Sequence, residues 1–103
     1  MFLIREVFHC KPGKVRPLLE KFTAMAKLGE KLGMPRMRFL TDSIGGQYWT
    51  LVAEMEVPSL KAYEEMMSNS TGSAEDMKKF EEIMKGYHEF VDHGHRECYK
   101  IEG

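Results

Sequence analysis

The apolar residues of this chain repeat first with a strand-like period and then with a helical one, and the whole switch occurs twice. Residues 2–10 (FLIREVFHC) are rich in aromatic and β-branched types and too short for a stable lone helix, which predicts a strand. Lys11-Pro12-Gly13 breaks it, because proline removes a ladder donor and glycine frees the backbone to turn. Val15, Leu18, Leu19, Phe22, Met25, Ala26 and Leu32 then recur at three-and-four spacing, with Lys21, Lys27 and Lys31 opposite. Gly33 closes this predicted helix and Pro35 prevents its continuation. Residues 36–42 and 47–57 alternate as two strands, joined by a hairpin turn at Ser43-Ile44-Gly45-Gly46. Pro58-Ser59 opens a second helix carrying Leu60, Tyr63 and Met67. Ser68-Asn69-Ser70-Thr71-Gly72 interrupts it, a loop of the kind that can gate a cavity. Ser73 is placed to cap a third helical piece marked by Met77, Phe80, Met84, Tyr87 and Val91. Asp92-His93-Gly94 is expected to end it, leaving residues 95–102 as a final strand.

The order strand, helix, strand, strand, helix, strand makes two split βαβ units. With right-handed crossovers these give a four-stranded antiparallel sheet in the order 4-1-3-2, with helices on one face. The expected fold is therefore α+β and ferredoxin-like, one domain over residues 1–103. Fifteen basic and sixteen acidic side chains leave a net charge of −1, without the electrostatic footprint of a nucleic-acid binder. No apolar run approaches the roughly 20 residues that span a bilayer, so no membrane partner is expected. The N-terminus runs straight into a strand pattern, which makes a cytoplasmic location the default expectation. Two cysteines, Cys10 and Cys98, make no disulfide framework and are expected as free thiols.

Helices cover only one face of such a sheet, so the other should be polar in a monomer. On residues 47–57 the odd positions from Trp49 to Val57 are the more apolar and are expected to meet the helices. The even set, Tyr48, Thr50, Val52, Glu54 and Glu56, is mixed. The first strand is apolar on both parities, with Phe2, Ile4 and Phe8 on one and Leu3 and Val7 on the other. An exposed apolar second face is rare in soluble monomers, and a twofold partner would cover it. A homodimer is expected.

Arg5 within the opening strand, then Lys11-Pro12-Gly13-Lys14-Val15 and a helix, resembles the start of NIPSNAP-like proteins. Glu54-Met55-Glu56 and Pro58-Ser59-Leu60-Lys61-Ala62-Tyr63 continue the resemblance, which spans nearly the whole chain in element order. These proteins belong to the dimeric α+β barrel superfamily, together with cofactor-free antibiotic-biosynthesis monooxygenases. The resemblance implies a dimer whose two sheets form a barrel around a cavity. It does not by itself imply an activity.

Arg5, His9, Arg38, Glu54 and Arg96 are expected on the face away from the helices, where charges must be paired or hydrated. In a structural reading, Arg5 and Arg96 bridge to Glu54 and Glu56. In a functional reading, Arg5, Arg38, Trp49, Glu54 and Arg96 hold a small hydrophobic or anionic ligand. His9 or His95 then serves as the base of a cofactor-independent monooxygenase or isomerase, a chemistry taken from the resemblance. The alternative is a non-catalytic structural or regulatory dimer with a filled barrel. By its strand parity Trp49 is a core residue. The haem-degrading branch of the superfamily pairs a strand Trp with a helix His and an Asn near the chain start. The first strand here has no Asn and His88 lies far from Trp49 in sequence, so no cofactor is expected. Imidazole and thiolate groups gather at His88, His93, His95 and Cys98, with His9 and Cys10 on the neighbouring strand. Parity puts His95 and Cys98 on opposite faces, which argues against a four-ligand metal site. His93 and His95 can share a face, with His9 approaching across the sheet. No metal is expected.

Overall fold

The computed structural model describes residues 1–68 and 74–103, and the proposed gating loop and the Ser73 cap lie outside or at the edge of that description. Its elements run β1 (Phe2–Cys10), α1 (Val15–Lys31), β2 (Met37–Thr41), β3 (Thr50–Val57), α2 (Leu60–Ser68), α3 (Ala74–Met84), a short 3-10 turn (Tyr87–Phe90) and β4 (Val91–Lys100). The sheet order is β2-β3-β1-β4, with every pair antiparallel. This is the expected α+β, ferredoxin-like arrangement. Among the described residues no helix is long and apolar enough to cross a membrane.

The helices pack on the even positions of β1 and the odd positions of β3, in two clusters. Leu18 and Phe22 of α1 meet Cys10 and Leu51, with Phe8, Phe39, Met84, Tyr87 and Phe90 around them. Tyr63 of α2 meets Ile4 and Val57. Between the clusters Glu6 interrupts the apolar parity of β1. Its carboxylate accepts a hydrogen bond from Tyr63 Oη at 3.2 Å and one from Arg96 Nε at 2.8 Å. The Arg96 guanidinium also lies 5.6 Å from the centre of the Tyr63 ring, a cation–π contact. Burial, with Glu6 alongside, pushes the Tyr63 hydroxyl above its usual range.

The ends of three elements differ from the sequence reading. Helix α1 closes as expected: Gly33 has φ +83°, and the amides of Gly33 and Met34 bond back to the carbonyls of Glu30 and Gly29. Strand β3, however, begins at Thr50 rather than at residue 47. Trp49 has φ +59°, and the Asp42 side chain accepts the Thr50 amide at 2.8 Å, so residues 42–49 form one long connection. Trp49 is 43% exposed and lies outside the core, contrary to expectation. At the other end, Asp92, His93 and Gly94 do not terminate a helix but belong to β4. Helix α3 stops at Met84, and Gly86 at φ +79° leads into the 3-10 turn. Gly94 pairs with Phe8, and a Cβ there would sit 2.6 Å from the Val7 carbonyl oxygen. Its lack of a side chain serves a close approach of two strands, which in sequence looks the same as a helix stop.

Candidate functional site

Strand register builds the site on the face that no helix covers. Arg38 of β2 pairs with Glu54 of β3, Glu54 with Arg5 of β1, and Arg5 with Glu97 of β4. Because side chains directly opposite one another share a face, these four make a row of alternating charge across the whole sheet. Glu54 is buried and accepts hydrogen bonds from Arg5 Nε at 2.8 Å and Arg38 Nε at 3.1 Å, with a further contact from Arg38 Nη2. Arg5 Nη1 donates to Glu97 at 2.8 Å, and His95 Nε2 lies 3.1 Å from the other oxygen of that carboxylate. The Arg38 hydrogen bond is the largest influence holding the Glu54 carboxyl below the usual carboxylate range, although burial opposes it. Glu97 is likewise lowered, first by its hydrogen bond with His95.

The next row is Leu40, Val52, Val7 and His95. Val7 and Val52 are already buried within the chain, so this face is less openly apolar than the sequence predicts. Leu40 and Tyr99 stay exposed at its flanks. Beyond it lies a polar row in which Thr50 faces His9 and His9 faces His93. The His9 ring is 4.6 Å from that of His93 and 6.0 Å from that of His95, centre to centre. Burial, then the neighbouring His93 and His95, push the His9 pKa down. Two shallow depressions flank the charged row. One, of about 350 Å³, is lined by Leu3, Arg36, Arg38, Glu54 and Glu56 among others; the second, of about 510 Å³, lies between His9, Thr50 and the 42–49 connection.

The structure therefore brings Arg5, Arg38, Glu54 and His9 onto one face, as the sequence predicts, and adds His95 to them. Arg96 is the exception: it points to the helix side, because the register of β4 on β1 sets it opposite Glu6. Trp49 lies outside β3, at the end of the 42–49 connection, where its carbonyl accepts the Cys10 amide at 2.8 Å. Cys98 pairs with Ile4 on the helix side, and His88 lies in the 3-10 turn against Tyr87. The sequence reading missed Glu97 and Thr50 as members of the site. Thr50 shares its parity with Glu54, and Glu97 shares its parity with His95; placing Arg96 on the open face put Glu97 on the other side.

The same architecture recurs in solved structures. An uncharacterized NIPSNAP domain protein from Burkholderia xenovorans superimposes with a TM-score of 0.73 at 12% identity, over 99% of this chain and 95% of its own. The chain has the fold of NIPSNAP-domain proteins. A protein from Agrobacterium tumefaciens gives 0.75 at 14% identity, covering 99% of this chain and 94% of that one. An antibiotic biosynthesis monooxygenase-like protein from Chloroflexus aurantiacus gives 0.57 at 10%, with 99% and 94% covered. No family model matches the sequence, and no curated protein matches it. In this NIPSNAP-like fold the uncovered sheet face carries the densest set of convergent charged and titratable groups described above.

Proposed function

We propose that two copies of this chain pair through the open sheet face, and that the enclosed space binds a small organic molecule bearing an anionic or carbonyl oxygen. The observation that carries this reading is the charged row. Four ionic side chains of alternating sign stand on an uncovered face beside an apolar row, which suits a twofold partner that meets the same row reversed. The superimposable proteins support the reading through their fold alone. Arg38 is the natural anchor for the ligand, since its side chain is 71% exposed while Glu54 fixes one edge of the guanidinium. Arg36 lines the same depression.

A second reading has its own observation. Glu54 and Glu97 already engage both ends of the Arg5 guanidinium, so this row also serves a dimer whose interior is closed by ion pairs and takes no ligand. Light scattering at micromolar concentration separates the first claim: the expected mass is twice 12.0 kDa, and a stable 12.0 kDa particle refutes pairing. Thermal shift with a panel of small aromatic carboxylates and their amides separates the two readings. The carboxylates should raise the midpoint in the parent protein and not in Arg38→Ala. A panel without effect on the dimer leaves the filled-interior reading standing.

A further inference from the structure

We propose that the helix side of β4 carries a second small-molecule site, which takes an uncharged planar ring with adjacent N–H and carbonyl groups, a cyclic amide. The feature behind it is a depression of about 310 Å³ lined by Glu6, Phe8, Tyr87, His88, Gly94 and Arg96 among others. Register places Arg96 opposite Glu6 and Gly94 opposite Phe8, so these four share the helix side of β1 and β4. Tyr87 of the 3-10 turn packs against the core cluster that holds Leu18 and Phe22 of α1. The depression therefore lies across the sheet from Arg38 and the charged row.

Three rings give the depression its apolar part. Phe8 is held edge-on against Phe22, with ring centres 5.0 Å apart. A Cβ on Gly94 would lie 3.7 Å from Phe8 Cδ1, so the glycine leaves that ring bordering open space. Tyr87 and His88 stand together on the other side, their ring centres 3.9 Å apart. Aromatic walls favour a planar aromatic occupant. Ligand pockets commonly measure about 300–1,000 Å³, and this one, at the lower end, suits a single ring.

Glu6 and Arg96 supply the polar end. Glu6 Oε1 accepts from Tyr63 Oη at 3.2 Å and from Arg96 Nε and Nη2, each at 2.8 Å. Among the described residues these contacts all fall on Oε1, so Oε2 remains to accept and Arg96 Nη1 remains to donate. The raised pKa of Tyr63 keeps its hydroxyl protonated at neutral pH, and so a donor to Glu6. An acceptor beside a charged donor is the complement of a cyclic amide, whose N–H and C=O lie side by side on one edge. A carboxylate ligand has no proton to give Glu6 and meets its like charge, which sets this site apart from the exposed Arg38. The site is complete within one chain, so it stands or falls independently of pairing through the open face.

The test is titration of 2-pyridone into the isotope-labelled full chain at neutral pH, followed by amide NMR shifts. Saturable shifts are expected at the amides of His88, Gly94 and Arg96. The N-methyl analogue, which cannot donate to Glu6, should bind at least about tenfold more weakly. Arg96→Met should weaken 2-pyridone binding by a similar factor. His88→Ala, in an exposed turn, should weaken it by roughly twofold to tenfold and keeps the test decisive should Arg96→Met unfold by circular dichroism. Absence of saturable shifts overturns the proposal. So does an N-methyl analogue that binds as tightly, since the ring would then merely rest in an apolar hollow. Shifts centred on Arg38 and Glu54 also overturn it, by moving the ligand to the open face.

Discussion

Glu54→Gln isolates the contribution of the charged row. The substitution keeps the shape of the side chain but replaces one acceptor oxygen by an amide donor facing two guanidinium groups. Removing one partner of a buried ion pair costs about 3–5 kcal/mol when the remaining charge is sealed from water. Here the relief is partial: the Arg38 side chain is 71% exposed, so solvent screens most of its share. Arg5, at 32% exposure, retains Glu97 at 2.8 Å. With hydrogen bonds to charged groups worth about 1.5–3 kcal/mol each, the expected net loss is about 2 kcal/mol. For a chain of this size that lowers the thermal midpoint by roughly 8–16 °C. Urea unfolding at one fixed protein concentration measures it directly, since any self-association adds a concentration-dependent term. The pH dependence supplies an independent sign. The folded carboxyl of Glu54 titrates below its unfolded value, so between the two the unfolded chain binds the extra proton. Its stabilisation is full above the ordinary glutamate range and fades as the pH falls through the folded pKa. The gap between parent and Glu54→Gln should close over the same interval. Arg38→Gln, made as a control, should cost clearly less than Glu54→Gln, because solvent screens the exposed Arg38 charge. A Glu54→Gln variant within about 0.5 kcal/mol of the parent, or an Arg38→Gln variant that costs as much, would refute the idea that Glu54 anchors the row.

Two further outcomes follow from particular contacts. Gly94→Ala should destabilise the chain by on the order of 1–3 kcal/mol in the same urea experiment, because the new methyl meets the Val7 backbone oxygen at 2.6 Å and neither strand has a flexible side chain to yield; a neutral substitution would mean that β4 does not pair with β1 as described. Of the two thiols, the exposed Cys98 should react rapidly with a disulfide reagent in the native state, while Cys10, buried and with its pKa raised by that burial, should react only after unfolding; equal rates would contradict the burial of Cys10 beneath α1.

Local periodicity carried most of the fold. A two-residue period in β1 and β3, a helical period in α1, and the stop at Gly33 and Pro35 depend on neighbours a few residues apart, so they can be read along the chain. They also put Arg5, His9, Arg38 and Glu54 on one face, since parity and an assumed strand order suffice for that. What parity could not supply was register at the two places where a local signal had two meanings. Asp92-His93-Gly94 reads as a helix stop, yet Gly94 lacks a Cβ because two strands approach there. The register of β4 on β1 sets Arg96 beside Glu6 and Tyr63 on the helix side, and Glu97 beside Arg5 and His95. Trp49 follows the same logic: its place in an alternating run suggested the core, but the turn closed by Asp42 holds it at φ +59° outside the strand. The sequence by itself determined the order of elements, most of the helix-facing core and three of the four charges in the row, Arg5, Arg38 and Glu54. Only the tertiary structure decided which of those charges meet, because a cross-strand pair is fixed by long-range hydrogen-bond register rather than by the residues on either side of it.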